Sequence, residues 1–515
     1  MSREPVTAGH RVALGVILAA ALAVRLAFFG GLRGWDDVDY IDAARALRAH
    51  DYSVGSSFRL RYMLTIPLAL AQASLGEGEW AQYVVPLGYS LAHLALAYAL
   101  GRLLGGPGIG LAAVALLAIV PLDVIAATDL HTDLAMSTFM AGALYAVLRA
   151  ERSAARRRAW LVGAGALLGL ATLAKEAALA LLVVLAIRAW LSRRAVPPAS
   201  HGWLALGLAG VLALDALWLT AVTGDPLYRF GAGGAGHAST LGRSAPGHDW
   251  MLEYGAMLLW PASASFGYVA GLFYLVLVAT AWGFARRERS IVEATVWWLP
   301  LLLVFNFAPL DATFRHPLFY HFARTLHPLM IPFVLAVAVW LRWGLERRPA
   351  ARALAVTPFV ALAALGVWTI STDFRSYALV ARAAAPLIER HDPGTPVLAD
   401  QPSAQLLQLL LPRRRDHIAR YATIPPGGGV LVLDDPVFAT MERAAGMPVP
   451  RELATPPATW QRVAVLDRPE RPGVRAALRR VLLRATPERE TGVAPRGAVL
   501  WWVPPIAGPA AAPAR

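Results

Sequence analysis

The chain has 515 residues, of which 57% are apolar and 16% charged. A soluble protein averages about 45–50% apolar and about 25% charged, so this composition excludes a string of soluble domains and, for the same reason, a disordered chain. The net charge of +14 would suit nucleic acid, but in a polytopic membrane protein basic residues orient the loops, and no nucleic-acid partner is expected.

Cysteine is absent, so there is no disulfide framework, thiolate metal site or cysteine nucleophile. Every basic residue is arginine except Lys175. Apolar runs of about 20 residues are long enough to cross a bilayer core. Taken in order, such runs predict spans near 11–29, 82–104, 107–125, 132–149, 158–174, 176–191, 202–223, 262–285, 291–308, 324–342 and 351–371, eleven in all. The first run continues through Arg25 to Phe29, past the small-residue site Ala21-Leu22-Ala23, which favours an uncleaved span over a signal peptide.

Alternate connections carry the arginines: Arg149, Arg152, Arg156, Arg157 and Arg158; Arg188, Arg193 and Arg194; Arg286, Arg287 and Arg289; Arg342, Arg347, Arg348 and Arg352. The positive-inside rule makes these loops, and the N-terminus with Arg3 and Arg11, cytoplasmic. An odd span count then places the C-terminal segment outside the cytoplasmic membrane of a bacterium.

Three outer segments are long. Residues 30–81 contain an amphipathic helix over 38–50 and a second, apolar helix over 62–75, too short to span and so interfacial or re-entrant. Residues 224–250 are rich in Gly, Ser and His and predict a mobile loop. Residues 309–323 form the third. From Asp373 onward charge is denser, with 19 Arg against 13 Asp and Glu. Strands at 396–400, 429–433, 462–466 and 497–503 and helices at 401–411 and 472–484 predict a small extracytoplasmic α/β domain over 373–503. The Ala/Pro tail 504–515 is expected to be disordered.

Four sets of residues suit chemistry. Trp35-Asp36-Asp37-Val38-Asp39-Tyr40 puts three carboxylates just after the first span. A carboxylate there can act as general base toward a hydroxyl, or a pair can hold a divalent cation. The competing reading is an ordinary acidic helix start. Asp129 and Asp133 begin the fourth span, with Asp123 and His131 nearby; ionisable groups at the edge of apolar spans are functional candidates, and capping by Thr132 or Asp133 is the alternative. Lys175-Glu176 sits between two spans and makes either a turn at the water boundary or one wall of a polar cavity. Arg59, Arg61, Arg315, His316, His321, Arg324 and His327 form a basic set suited to a lipid-linked phosphate. The histidine spacing there is not a helical metal face, and interfacial histidines are the simpler reading.

These residues fall on one membrane face in an order that resembles the GT-C superfamily of membrane glycosyltransferases, in the branch of bacterial protein O-mannosyltransferase relatives and the lipid A aminoarabinose transferase. The resemblance covers roughly 11–345. Asp36-Asp37-Val38-Asp39-Tyr40 is similar to the first-loop acidic motif, with Asp37 where Glu is usual. Asp133 resembles the second-loop aspartate. Thr172-Leu-Ala-Lys175-Glu176 resembles a Thr-Lys-Gly stretch with Glu for Gly. Arg324-Thr-Leu-His-Pro328-Leu-Met-Ile-Pro332 resembles a late Arg-Tyr-x-x-Pro-x-x-Pro stretch without its Tyr. The usual first-loop Lys-Pro-Pro is replaced by the region of Arg59, Arg61, Tyr62 and Pro67, and the Trp-Trp-Asp-Tyr-Gly signature of oligosaccharyltransferases is absent.

The resemblance implies a multi-pass helical fold and inverting sugar transfer from a polyprenyl-phosphate donor to a hydroxyl of a glycan, lipid or protein acceptor. It implies Asp36 as general base and Asp133 as orienting carboxylate. Lys175, Arg59, Arg61 and Arg324 would contact the donor phosphate; Asp37, Asp39, Tyr40, Asp129, His131, Glu176 and His321 are further candidate site residues. No catalytic metal is expected, the Asp36/Asp37/Asp39 cluster being where a divalent ion would otherwise bind. The alternatives are a multispan transporter or flippase of lipid-linked sugars and a non-catalytic envelope assembly protein. A transporter would place its charges near the midplane.

Overall fold

In the computed structural model the described residues are 5–29, 31–32, 34, 36–51, 54, 57–194, 196–231, 250–261, 266–269, 271–309, 318–319, 322–346, 356–357, 360–367, 377–444, 447–466 and 497–505. Two units divide them. One comprises Met1–Phe29 and Ala43–Thr372, the other Gly30–Asp42 and Asp373–Arg515.

The first unit is helical. In order it contains α1 (Ala8–Ala27), the second half of α2 (Asp36–Arg48), α3 (Tyr62–Leu75), α4 (Glu79–Gly105), α5 (Pro107–Ile119), α6 (Pro121–Ala126), α7 (Thr132–Arg152), α8 (Arg157–Ala174), α9 (Leu181–Leu191), α10 (Gly202–Thr223), α11 (Trp250–Leu259), α12 (Phe266–Val269), α13 (Leu272–Arg286), α14 (Arg289–Phe307) and α15 (Met330–Leu345). Among the described residues, Ala8–Ala27, Glu79–Gly105, Pro198–Thr223, Arg289–Phe307 and Ala323–Leu345 are long and apolar enough to cross a membrane. The unit is a multi-pass membrane protein.

Several predicted spans are broken rather than continuous, for local reasons. The run 107–125 splits into α5 and α6 at Val120-Pro121, where Val120 is extended and Pro121 takes the first helical position of α6, a place that needs no N–H. The run 176–191 begins as a 3₁₀ helix, Glu176–Ala180, after Lys175 adopts extended backbone at φ −163°. The run 262–285 resolves into α12 and α13, with Gly271 at φ +73° between them. The run 324–342 opens as a 3₁₀ helix, Ala323–Leu329, before α15. Helix α11 was not expected from the sequence. Of the eleventh run only 356–357 and 360–367 are described, both helical.

The core explains which helices lie inside. α7 and α15 are buried along most of their length, and α15 is apolar on every side, as a helix surrounded by other helices must be. α1 and α10 expose most of their apolar surface, which in a bilayer faces lipid. Small residues set the closest approaches: a Cβ on Gly165 would lie 1.9 Å from the Leu204 carbonyl oxygen, and one on Gly207 2.1 Å from that of Val162. α8 and α10 therefore pack backbone to backbone through glycines, as membrane helices often do.

The second unit contains a five-stranded sheet ordered β2-β1-β3-β5-β4, with β1 Val397–Ala399, β2 Ile418–Arg420, β3 Val430–Asp434, β4 Gln461–Leu466 and β5 Ala498–Val503. β1 runs parallel to β2 and β3; β5 is antiparallel to β3 and β4. α16 (Tyr377–Glu389), α17 (Gln401–Leu410) and α18 (Pro436–Ala444) belong to it. All of β3, the central strand, is buried. β2 is too short to be read from sequence. The predicted helix 472–484 and the tail beyond 505 lie outside the described residues.

The same unit includes Gly30–Asp42, the acidic stretch of the first loop. Gly34, at φ +86°, has Pro402 of α17 so close that a Cβ would sit 2.8 Å from the proline Cβ. Asp42 pairs with Arg415 at 2.7 Å. A left-handed glycine against a proline leaves no room for any side chain.

Candidate active site

The charged residues of the first unit gather where helices end. Asp133 opens α7, only 3% exposed. Its Oδ1 accepts from Lys175 Nζ at 2.7 Å, and its Oδ2 lies 3.9 Å from Arg324 Nε. Arg324 Nη1 is 3.1 Å from the His131 ring nitrogens, and His131 Nε2 is 3.8 Å from Asp129. Asp133, Lys175, Arg324, His131 and Asp129 thus form one chain of polar contacts. Burying a carboxylate is costly unless cations and hydrogen bonds compensate, and here two cations do.

Lys175 and Glu176 point to different partners. Extended backbone at Lys175 turns neighbouring side chains apart, so Lys175 meets Asp133 while Glu176 pairs with Arg61. Glu176 Oε1 is also 3.6 Å from Arg229 Nη1. Arg229, fully buried, makes a two-pronged contact with Asp215 at 2.7 and 2.8 Å and donates to the Leu60 carbonyl at 2.7 Å. Its guanidinium lies 5.0 Å from the Tyr62 ring centroid. The predicted phosphate ligand Arg61 is therefore already engaged by a carboxylate, and Arg59 donates to the Asp51 carbonyl at 3.4 Å.

A third cluster lies deeper. Arg25, fully buried in α1, pairs with Asp123 and donates to Ser90 Oγ at 2.7 Å. Asp123 Oδ1 is 2.9 Å from His93 Nδ1 and 3.4 Å from His327 Nε2. His327 is fully buried. His93, Asp123 and His327 have the composition of a metal site. Arg25 already neutralises Asp123, however, and a divalent ion would add two positive charges to an enclosed, balanced group, which is costly. The residues fit an Arg25–Asp123 ion pair flanked by two imidazoles.

In the second unit, Asp36, Asp37 and Asp39 form the first turn of α2, where the helix dipole favours negative charge. Asp37 and Tyr40 are buried and Asp36 and Asp39 half-buried. Burial, then the neighbouring Asp36 and Asp42, pushes the Asp39 carboxyl up to about 6. The sequence-predicted residues therefore fall into two groups, Asp36, Asp37, Asp39 and Tyr40 in one unit and Asp129, His131, Asp133, Lys175, Glu176, Arg59, Arg61 and Arg324 in the other. His321, Arg315, His316 and the 232–249 part of the Gly-rich loop lie outside the described residues.

Sequence reasoning missed Arg25, His93, Asp215 and Arg229. Arg25, His93 and Asp215 each stand in an apolar run, and an ionisable group there is a signal in itself. Arg229, just past a span, carried none.

Residues 60–218 match the family model described as dolichyl-phosphate-mannose-protein mannosyltransferase. The structure resembles ArnT from Cupriavidus metallidurans in the apo state at 16% identity and a TM-score of 0.54, over 95% of this chain and 97% of that one. The chain has the GT-C glycosyltransferase fold. The same ArnT bound to undecaprenyl phosphate gives 17% identity and a TM-score of 0.53, over 98% of this chain and all of that one. A second GT-C structure, the Archaeoglobus fulgidus oligosaccharyltransferase tethered to an acceptor peptide, gives 12% identity and a TM-score of 0.55, over 84% of this chain and 70% of that one. No curated protein sequence matches. Within GT-C the chain resembles the ArnT and protein mannosyltransferase branch.

Proposed function

We propose that the chain transfers a sugar, with inversion, from a polyprenyl-phosphate donor to an acceptor hydroxyl at the outer face of a bacterial cytoplasmic membrane. The observation that carries this is the buried Asp133 with Lys175 and Arg324 gathered beside it, at the helix ends of a GT-C fold. Such a group provides positive charge next to apolar surface, which is what a lipid-linked phosphate needs.

In the reaction the acceptor oxygen attacks the anomeric carbon from the face opposite the phosphate. Asp36 takes the hydroxyl proton as general base. The bond from the anomeric carbon to the phosphate oxygen breaks, and its electron pair leaves with polyprenyl phosphate. That phosphate gains a negative charge as it departs, so cations fixed beforehand stabilise the transition state more than the ground state. Lys175 and Arg324 take this role, with Arg59 and the Glu176-bound Arg61 extending the positive wall. Asp133 aims the lysine. The ArnT structure with undecaprenyl phosphate supports a polyprenyl phosphate as the lipid. The acceptor class is a glycan, lipid or protein hydroxyl.

Asp36→Asn tests the reading, because it keeps shape and removes the base. Transfer from the lipid donor collapses while abundance and membrane insertion stay normal. Undiminished transfer refutes the role of Asp36.

A further inference from the structure

At the other end of α7, away from Asp133, lies a cavity of about 840 Å³. It is framed by the ends of α4 and α7, the start of α14 and the end of α15. Its charged lining is Arg102, Arg149, Arg152 and Arg342 against Glu288 and Glu346, four cations to two anions. The positive-inside rule assigns this end to the cytoplasm.

The lining charges are unequally committed. Arg342 donates to Glu346 at 2.8 Å and to the Gly105 carbonyl at 2.9 Å. Arg152 donates to the Leu103 carbonyl. Both close the end of α4, whose last carbonyls need donors. Glu288 caps α14 by accepting from the Ser290 amide at 3.3 Å. Arg149 instead lies 5.3 Å over the Trp160 ring, and neither it nor the exposed Arg102 has a carboxylate partner among the described residues. Two guanidinium groups thus face one cavity with their donors available.

Apart from Ser290, whose hydroxyl donates to the Leu104 carbonyl, the remaining lining residues are apolar or aromatic, with Trp282 and Trp343 in contact at a centroid distance of 5.0 Å. Paired indoles beside arginines mark the depth of lipid headgroups, and basic pockets between helices hold anionic headgroups. A soluble anion would use the arginines and leave the apolar walls wet. A phosphate attached to an acyl or prenyl chain would use both.

We infer that this cavity is a binding site for a phosphate-bearing lipid headgroup, held by Arg102 and Arg149 and distinct from the donor site. Neither residue belongs to the proposed transfer machinery, so the inference stands or falls independently of it.

The test is native mass spectrometry of the full-length protein in detergent, offered phosphatidylglycerol, undecaprenyl phosphate, phosphatidylcholine or glycerol phosphate. Retention of at least one of the two anionic lipids exceeds that of phosphatidylcholine about tenfold, and glycerol phosphate is not retained. Arg102→Gln with Arg149→Gln lowers that retention about fivefold or more, whereas Arg102→Lys with Arg149→Lys, which keeps the charge, stays within about twofold. The Lys pair also keeps the test valid if the Gln pair misfolds. Retention of both anionic lipids equal to that of phosphatidylcholine, retention unchanged in a folded Gln pair, or equal retention of glycerol phosphate overturns the inference.

Discussion

Lys175→Met removes the ammonium beside Asp133 and keeps much of the stem. The Nζ–Oδ1 distance is 2.7 Å, with the lysine side chain 24% and the aspartate side chain 5% exposed. At an effective dielectric of about 20, charges that close attract by about 6 kcal/mol before desolvation. Breaking a buried pair from one side costs about 3–5 kcal/mol. Partial exposure of the lysine and the nearby Arg324 bring the expected loss down to about 2–3 kcal/mol. If Lys175 also faces the departing phosphate, transfer falls by a further factor of about 10²–10³ per folded molecule. The assay pairs denaturant unfolding in detergent with initial rates from a polyprenyl-phosphate donor, normalised to folded protein. Lys175→Arg keeps the ion pair and should recover most of the stability and only part of the rate, since a guanidinium is larger and planar. A Lys175→Met rate per folded molecule within about threefold of the parent would refute the catalytic argument and leave a structural ion pair.

Arg229→Met leaves Asp215 buried opposite an apolar side chain and should destabilise the protein by about 3–5 kcal/mol in unfolding, with Arg229→Met plus Asp215→Leu recovering most of it. Asp400, capping α17 through the Ser403 amide at 2.8 Å, is fully buried and held well above the usual carboxylate range by desolvation and then by Asp435; burial and Asp435 also push Asp434 up to about 6. A raised folded-state pKa means the fold binds the proton more tightly, so the contribution of these two carboxyls to stability is fully present below about pH 4 and is lost as pH rises through the raised values. Asp400→Asn keeps the cap and removes the charge, so proteolysis within 377–466 should slow at pH 7.5, with the difference vanishing toward pH 4; faster cutting at pH 7.5 would contradict this. Gly34→Ala forces a side chain against Pro402 at positive φ and should displace the acidic turn, lowering transfer about tenfold or more at normal abundance, because small misplacements near reacting groups are costly; parental activity would argue against it.

The helical membrane class was legible from apolar runs, because length and hydrophobicity alone settle which segments suit a bilayer. Interruptions were not, as they depend on local backbone events: the extended residue at Lys175, the proline start at Pro121, the glycine at 271. Single charged residues in the spans were visible, but their partners were not. Arg25 meets Ser90 across 65 residues and Asp123 across 98, pairings with no sequence period. Arg188 illustrates the opposite error. It counted as an orienting loop arginine, yet it is buried between Glu151 and Glu293, so its charge holds three helices together. The acidic stretch at 36–39 was legible as a motif, while its membership of the same unit as residues 373–515 depends on Gly34 meeting Pro402, a contact between distant segments.

The central claim is sugar transfer from a lipid phosphate, and envelope composition reads it directly. Mass spectrometry compares the glycans and polyprenyl-phosphate lipids of a deletion strain with its parent and with strains carrying the wild-type or Asp36→Asn chain. The account predicts loss of one sugar increment from an envelope component and accumulation of its lipid-linked donor, both reversed by the wild-type chain and not by Asp36→Asn. Identical envelope glycans and donor pools in all four strains would contradict it.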